Sequence, residues 1–168
     1  MPYPFPSSSV EGVTFNLSGT STILSPISNS AKRITLDWGG ITTNTVAPGA
    51  GDFPTFFLGT TGGLVTTGYA GKGNALTAIL VLKGLEMNVN IGGGNFGPLN
   101  GSATLIEVDS TNHIYLATMF VSTQGTINLS GVTVASVTLP DVLSQISVTT
   151  PNGVGSFTAG QVRMVVEG

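Results

Sequence analysis

The 168-residue chain contains no cysteine, which excludes a disulfide framework, a thiolate metal site and a thiol nucleophile. Charge is scarce too. Asp, Glu, Lys and Arg make up 8% of the residues, against about 25% in ordinary soluble domains. Five residues are basic (Lys32, Arg33, Lys72, Lys83 and Arg163) and the net charge is −3. A protein that neutralises phosphates needs a cationic patch, so no nucleic-acid partner is expected. A polybasic membrane patch is missing for the same reason, and no membrane partner is expected. The longest apolar stretch, Ala75 to Leu82 broken by Thr77, is far shorter than the ~20 residues of a membrane-crossing helix. No basic, apolar leader opens the sequence, so secretory targeting is not expected.

What is abundant is small and neutral. Glycine, serine and threonine supply 63 of the 168 residues, and the mean hydropathy is +0.37. A free monomer normally keeps its surface wet with charged side chains. Here neutral hydroxyls must do so, or other subunits must cover the surface. A homo-oligomer is the expected state, with a trimer as its expected form.

Apolar residues recur with period two, the spacing of half-buried strands. In RITLDW, Ile34, Leu36 and Trp38 alternate with Arg33, Thr35 and Asp37; in LEMNVNI, Leu85, Met87, Val89 and Ile91 alternate with Glu86, Asn88 and Asn90. Ile114, Leu116 and Phe120 are expected on the inner face of their strand, as are Val162, Met164 and Val166. Further strands are expected at 13–17, 41–46, 55–58, 64–69, 103–108 and 132–139. Gly-rich turn signals such as APGAGD, GTTGG, GGGNFGPLNG and PNG separate them. The fold class is therefore all-β: an antiparallel β-sandwich or jelly-roll-like domain over residues 10–168, preceded by an extended arm over residues 1–9. Helix is expected at most as one turn near 139–146, where Pro140 and Asp141 suit a first helical turn; the segment ALTAILVLKGLEM is the one ambiguous run.

The arm reads MPYPFPSSS. Proline fixes its own φ and biases the residue before it to extended geometry. Pro2, Pro4 and Pro6 therefore hold Tyr3 and Phe5 on a stiff polyproline II segment that loses little entropy on docking. Pro2, Tyr3, Pro4, Phe5 and Pro6 are the first interface candidates. Phe53, in APGAGDFPTFFLG, and Phe96, in the loop after Ile91, are the others. Each of these two phenylalanines is either an interface anchor or a core residue or loop plug.

Motifs for chemistry are absent. His113 is the only histidine, and DSTNH reads as a hairpin turn built on Asp109 and Asn112. The sharper alternative is a metal site from Glu107, Asp109 and His113. GGGNFG matches a dinucleotide fingerprint, but Pro98, Asn100 and Gly101 follow where a helix must begin. In TTGYAGKG the residue after Lys72 is Gly73 rather than Ser or Thr, so it is no P-loop. The tetrapeptide NLSG occurs twice and reads as two similar strand ends. No catalytic residue, metal or cofactor is assigned, and the chain is not expected to be an enzyme.

An acidic, charge-poor, cysteine-free β-sandwich with a stiff aromatic arm resembles the capsid decoration (cement) proteins of tailed bacteriophages. The likeness lies in size, composition, fold class and arm. It implies a structural virion protein on the capsid surface that binds the major capsid protein or another virion subunit. Residues 1–9 would then contact the shell or a neighbouring subunit. Three other readings fit less well: a tail-tube subunit, a filament subunit, and a carbohydrate-binding module using Trp38, Tyr3, Tyr69 or Tyr115.

Overall fold

Alternation becomes strand in both layers of the protein. The structure is a computed structural model, and it describes residues 12–44, 53–72, 80–82, 84–87, 98–124, 130–150 and 153–168. The strands are β1 (Gly12–Asn16), β2 (Ser21–Leu24), β3 (Arg33–Thr43), β4 (Thr55–Thr60), β5 (Gly63–Leu64), β6 (Tyr69–Lys72) and β7 (Leu80–Leu82). They continue as β8 (Leu85–Glu86), β9 (Leu99–Asp109), β10 (Ile114–Thr123), β11 (Ser130–Thr138), β12 (Gln145–Thr149) and β13 (Phe157–Glu167). One sheet has eight strands in the order β1-β13-β3-β9-β10-β11-β6-β7; the other has the order β2-β12-β4-β5, with β8 also on β4. The pairings are antiparallel.

The two sheets close on one apolar core. Ile34, Leu36 and Trp38 of β3 point into it, as their alternation requires, with Leu105, Met119 and Val162 from neighbouring strands. Leu24, Phe56, Leu58, Ile146 and Val148 meet them from the smaller sheet. Trp38 and Phe56 touch across the layers with ring centroids 5.3 Å apart and planes tilted by 57°, a favourable aromatic arrangement. The antiparallel β-sandwich expected from periodicity is the fold.

A second inter-sheet tie is polar. Tyr69, fully buried on β6, lies between the sheets. The Leu58 N–H of β4 donates to its phenolic oxygen at 2.7 Å, and its O–H donates to the Val65 carbonyl at 3.0 Å. Burial pushes the phenol up to about 12. Tyr69→Phe keeps the ring but strands a buried N–H, so it is expected to cost about 1–3 kcal/mol, read as a lower urea midpoint with an unchanged slope.

Several expectations are corrected. The turn at 139–146 is not helical: Gln145 already begins β12, whose Ile146 pairs with both Leu24 and Leu58. Pairing two strands and filling the core outweighs the local signal of Pro140 and Asp141. Residues 64–69 do not form one strand. Gly68 adopts φ +82°, and the chain passes there from β5 of the smaller sheet to β6 of the larger. Of the ambiguous run near residue 80, the described parts are the strands β7 and β8; residues 75–79 lie outside the described residues, as do Val89 and Ile91.

The largest correction concerns β10. Ile114, Leu116 and Phe120 do not face inward; Tyr115, Ala117, Met119 and Val121 do. The cause is at the hairpin. Asp109 accepts from the backbone N–H groups of Thr111 and Asn112 at 2.9 and 3.0 Å and from the Asn112 amide at 2.8 Å. His113 then takes φ +51° and the register shifts by a bulge between Ile114 and Tyr115. A one-residue slip turns a strand over. Because both faces of β10 are apolar, alternation alone cannot choose between them.

Candidate functional site

The inverted face of β10 leaves large apolar side chains outside. Leu116 lies opposite Ile106 of β9, and Phe120 lies opposite Val132 of β11. Thr118 sits between them in the row that leads to Val134. Ile106, Val108, Leu116, Phe120, Val132 and Val134 are 41–57% exposed. Scattered exposed apolar residues are ordinary; six on three adjacent strands of one face are a patch. The side chains between them, Ser102, Thr104, Thr118 and Ser136, are short and uncharged.

Beside Phe120 the face sinks into an open depression of about 350 Å³, lined in part by Gly101, Ser102, Phe120, Ser130, Gly131 and Val132. Ser102, Phe120, Ser130 and Val132 belong to the outer row of their strands, whereas the Cβ position of Gly101 lies on the core side. At Gly101 there is no room for a side chain. An added Cβ would overlap the Phe120 carbonyl and stand 2.6 Å from Trp38 Cζ2. The backbone under the depression is therefore backed on the core side by Trp38.

The hydrophobic effect sets a scale for this surface. Fully burying one Val, Leu, Ile or Phe side chain is worth about 1.5–3 kcal/mol, so covering the exposed half of six is worth about 5–9 kcal/mol. Association costs about 4–15 kcal/mol in lost freedom. The patch alone thus roughly breaks even, and a stable complex needs a second contact.

The sequence-derived site residues fall into two groups. Phe53 is 5% exposed and belongs to the core, so of its two readings the structure has the core one. It is placed there by the turn into β4, where the Thr55 hydroxyl donates to its carbonyl at 2.9 Å. Pro2, Tyr3, Pro4, Phe5, Pro6 and Phe96 lie outside the described residues. Phe56 is fully buried, while Phe57 on the opposite face of β4 is half-buried with its ring 6.4 Å from Tyr69. The patch does not stand out in the sequence, where Leu116 and Phe120 read as inward-facing and the strands at 103–108 and 132–139 have no assigned face. Its legible signal was apolar residues at both parities of HIYLATMFV.

The carboxylate–histidine cluster does come together, but not as a metal site. Glu107 side chain is only 6% exposed and ion-pairs with Lys32. Tyr115 O–H donates to Glu107 Oε1 at 3.4 Å, and His113 Nδ1 faces the same oxygen at 4.0 Å. Burial, followed by the Glu107 carboxylate, pushes the Tyr115 phenol up to about 12. Asp109 turns away to hold the hairpin, and its bonds to Asn112 keep its carboxyl below the usual range. Glu107 and His113 therefore lack the third ligand, and among the described residues no group of three His, Cys, Asp or Glu could hold a metal ion. Asp109 bonds Thr111 and Asn112 of its own turn rather than His113. The cluster works as a structural clamp: Lys32 also accepts from the Glu107 N–H through its carbonyl at 3.0 Å, joining the start of β3 to the end of β9.

No protein-family model, curated protein or solved structure matches the chain.

Proposed function

We propose that this chain is a structural subunit of the exterior of a virus particle, one that self-associates and coats a capsid rather than catalysing a reaction. The observation that carries the reading is the uncharged apolar face of β9, β10 and β11. Support also comes from the low charge, which fits a subunit whose surface is shared with neighbours, and from the lack of a cationic patch, which fits a location away from the genome. The partners are further copies of the chain and a shell protein, either the major capsid protein or another virion subunit.

The physical role is stabilisation by linkage. A subunit that binds the assembled shell and not its loose parts lowers the free energy of the shell alone. Because burial rather than ion pairing supplies the contact, association is expected to be insensitive to salt, which screens exposed charges but not apolar contacts. Light scattering at low and molar salt is expected to return about three times the 17.0 kDa chain mass in both. Dissociation by salt, or a monomer throughout, would refute the reading.

A carbohydrate-binding module is the second reading, favoured by the depression itself. There Phe120 stands among Asn100, Ser102, Ser122 and Ser130, an apolar surface with hydrogen-bonding groups around it. Saturable sugar binding by a monomer would move the assignment there.

A further inference from the structure

We propose that the outer face of β9, β10 and β11 is the acceptor for the N-terminal arm of a second copy of this chain, with Tyr3 and Phe5 packing at the depression beside Phe120. This deepens the assembly reading and rests on it. The face has an apolar floor, open space for a ring, and no charge along its centre. The arm has the matching chemistry: two aromatic rings and three prolines in its first six residues, with no charged side chain. Its two rings add their own apolar burial to that of the patch, which alone roughly breaks even. A segment already stiffened by proline adds apolar burial at a low cost in ordering.

The register decides whose arm fits. A single row runs across the larger sheet from Thr14 of β1 through Arg163, Asp37 and Ser102 to Phe120 and then Val132. The arm joins its own domain at Gly12, on the edge strand β1. From there to β10 is four strand spacings, about 19 Å, and a layer packed on a sheet sits about 10 Å above it. Phe5 precedes Gly12 by seven residues, which span about 22 Å as polyproline II. Docking on its own face would therefore demand a taut chain that turns abruptly out of the β1 direction at Gly12. It would also lay the chain across Arg163 and Asp37, the charged part of the same row. An arm arriving from a neighbouring copy approaches the apolar strands without either constraint.

The absence of cysteine makes the test direct. Ser7→Cys labels the arm just beyond Phe5, and Ser130→Cys labels the wall of the depression. When the two single-cysteine chains are mixed and treated with a short bis-maleimide, a covalent two-chain product joining Cys on one chain to Cys on the other is expected. It should exceed either homodimer, and Phe5→Ser in the arm chain or Phe120→Ser in the acceptor chain should lower its yield about tenfold. A chain carrying both substitutions, diluted until it is monomeric, should show no internal cross-link. An efficient internal cross-link at that dilution would overturn the proposal in favour of an arm folded on its own domain. An intact oligomer without the mixed product would overturn the acceptor site while leaving the assembly reading standing. A monomer at every concentration would overturn both.

Discussion

Gly101→Ala is expected to cost at least about 3 kcal/mol, a large share of the 5–15 kcal/mol that holds a typical domain together. The methyl would overlap the Phe120 carbonyl and meet the Trp38 ring at Cζ2 and Cε2, 2.6 and 2.9 Å away. Neither neighbour can move cheaply. The carbonyl belongs to the β9–β10 ladder, and Trp38 is held from the other side by Phe56. Overpacking of this kind forces backbone shifts or an off-rotamer side chain. Gly39→Ala is the control on the adjacent strand: its Cβ would find only Asn100 Oδ1, at an ordinary 3.6 Å, and a change within about 1 kcal/mol is expected. Urea unfolding of the two variants checks the pair. Equal midpoints would mean that Trp38 does not occupy the space above Gly101.

The other large effect is on association and not on stability. The triple variant Leu116→Thr, Phe120→Thr, Val132→Thr replaces the centre of the exposed face with residues that suit strands equally well. Because those side chains already face outward, each change is expected to shift folding stability by no more than about 0.5 kcal/mol. Self-association should weaken by at least about 100-fold, since three central interface side chains at about 1 kcal/mol each multiply to that factor. Val13→Thr and Ile23→Thr provide the comparison. These residues are as exposed but lie on β1 and β2, away from the patch, and the mass should not change. A triple variant that unfolds would show that the face is packed and not free. One that folds and still assembles would place the contact elsewhere.

The two variants separate what Phe120 does twice. Its carbonyl lies against Gly101, where an added Cβ would also meet Trp38, while its ring stands in solvent on the outer face. Substituting the ring leaves the first role intact, so loss of association in the Phe120 variant is not a disguised folding defect.

Strand content was legible in the sequence wherever one face was polar. RITLDW could be placed correctly because Arg33, Thr35 and Asp37 mark the face opposite Ile34, Leu36 and Trp38. The hairpin at 109–113 was legible for a similar local reason: an Asp two and three residues before free N–H groups organises its own turn. Short central strands were not. β12 has buried Ser147 between Ile146 and Val148 and strands on both sides, so nothing polar and exposed marks a face. Phe53 could be core or anchor from the sequence, because an aromatic after a Gly-rich loop serves either purpose.

Read alone, then, the chain has its class: an all-β protein without thiol chemistry and short of charge. These follow from composition and from period-two spacing, which are local and additive. Which side of β10 meets the core and which meets solvent is set by the folded neighbours. That choice depends on a bulge after His113 and on the inward rows of Ala103, Leu105, Ala135 and Val137 on the flanking strands. A strand that is apolar on both faces carries no instruction of its own, and packing against its neighbours supplies it.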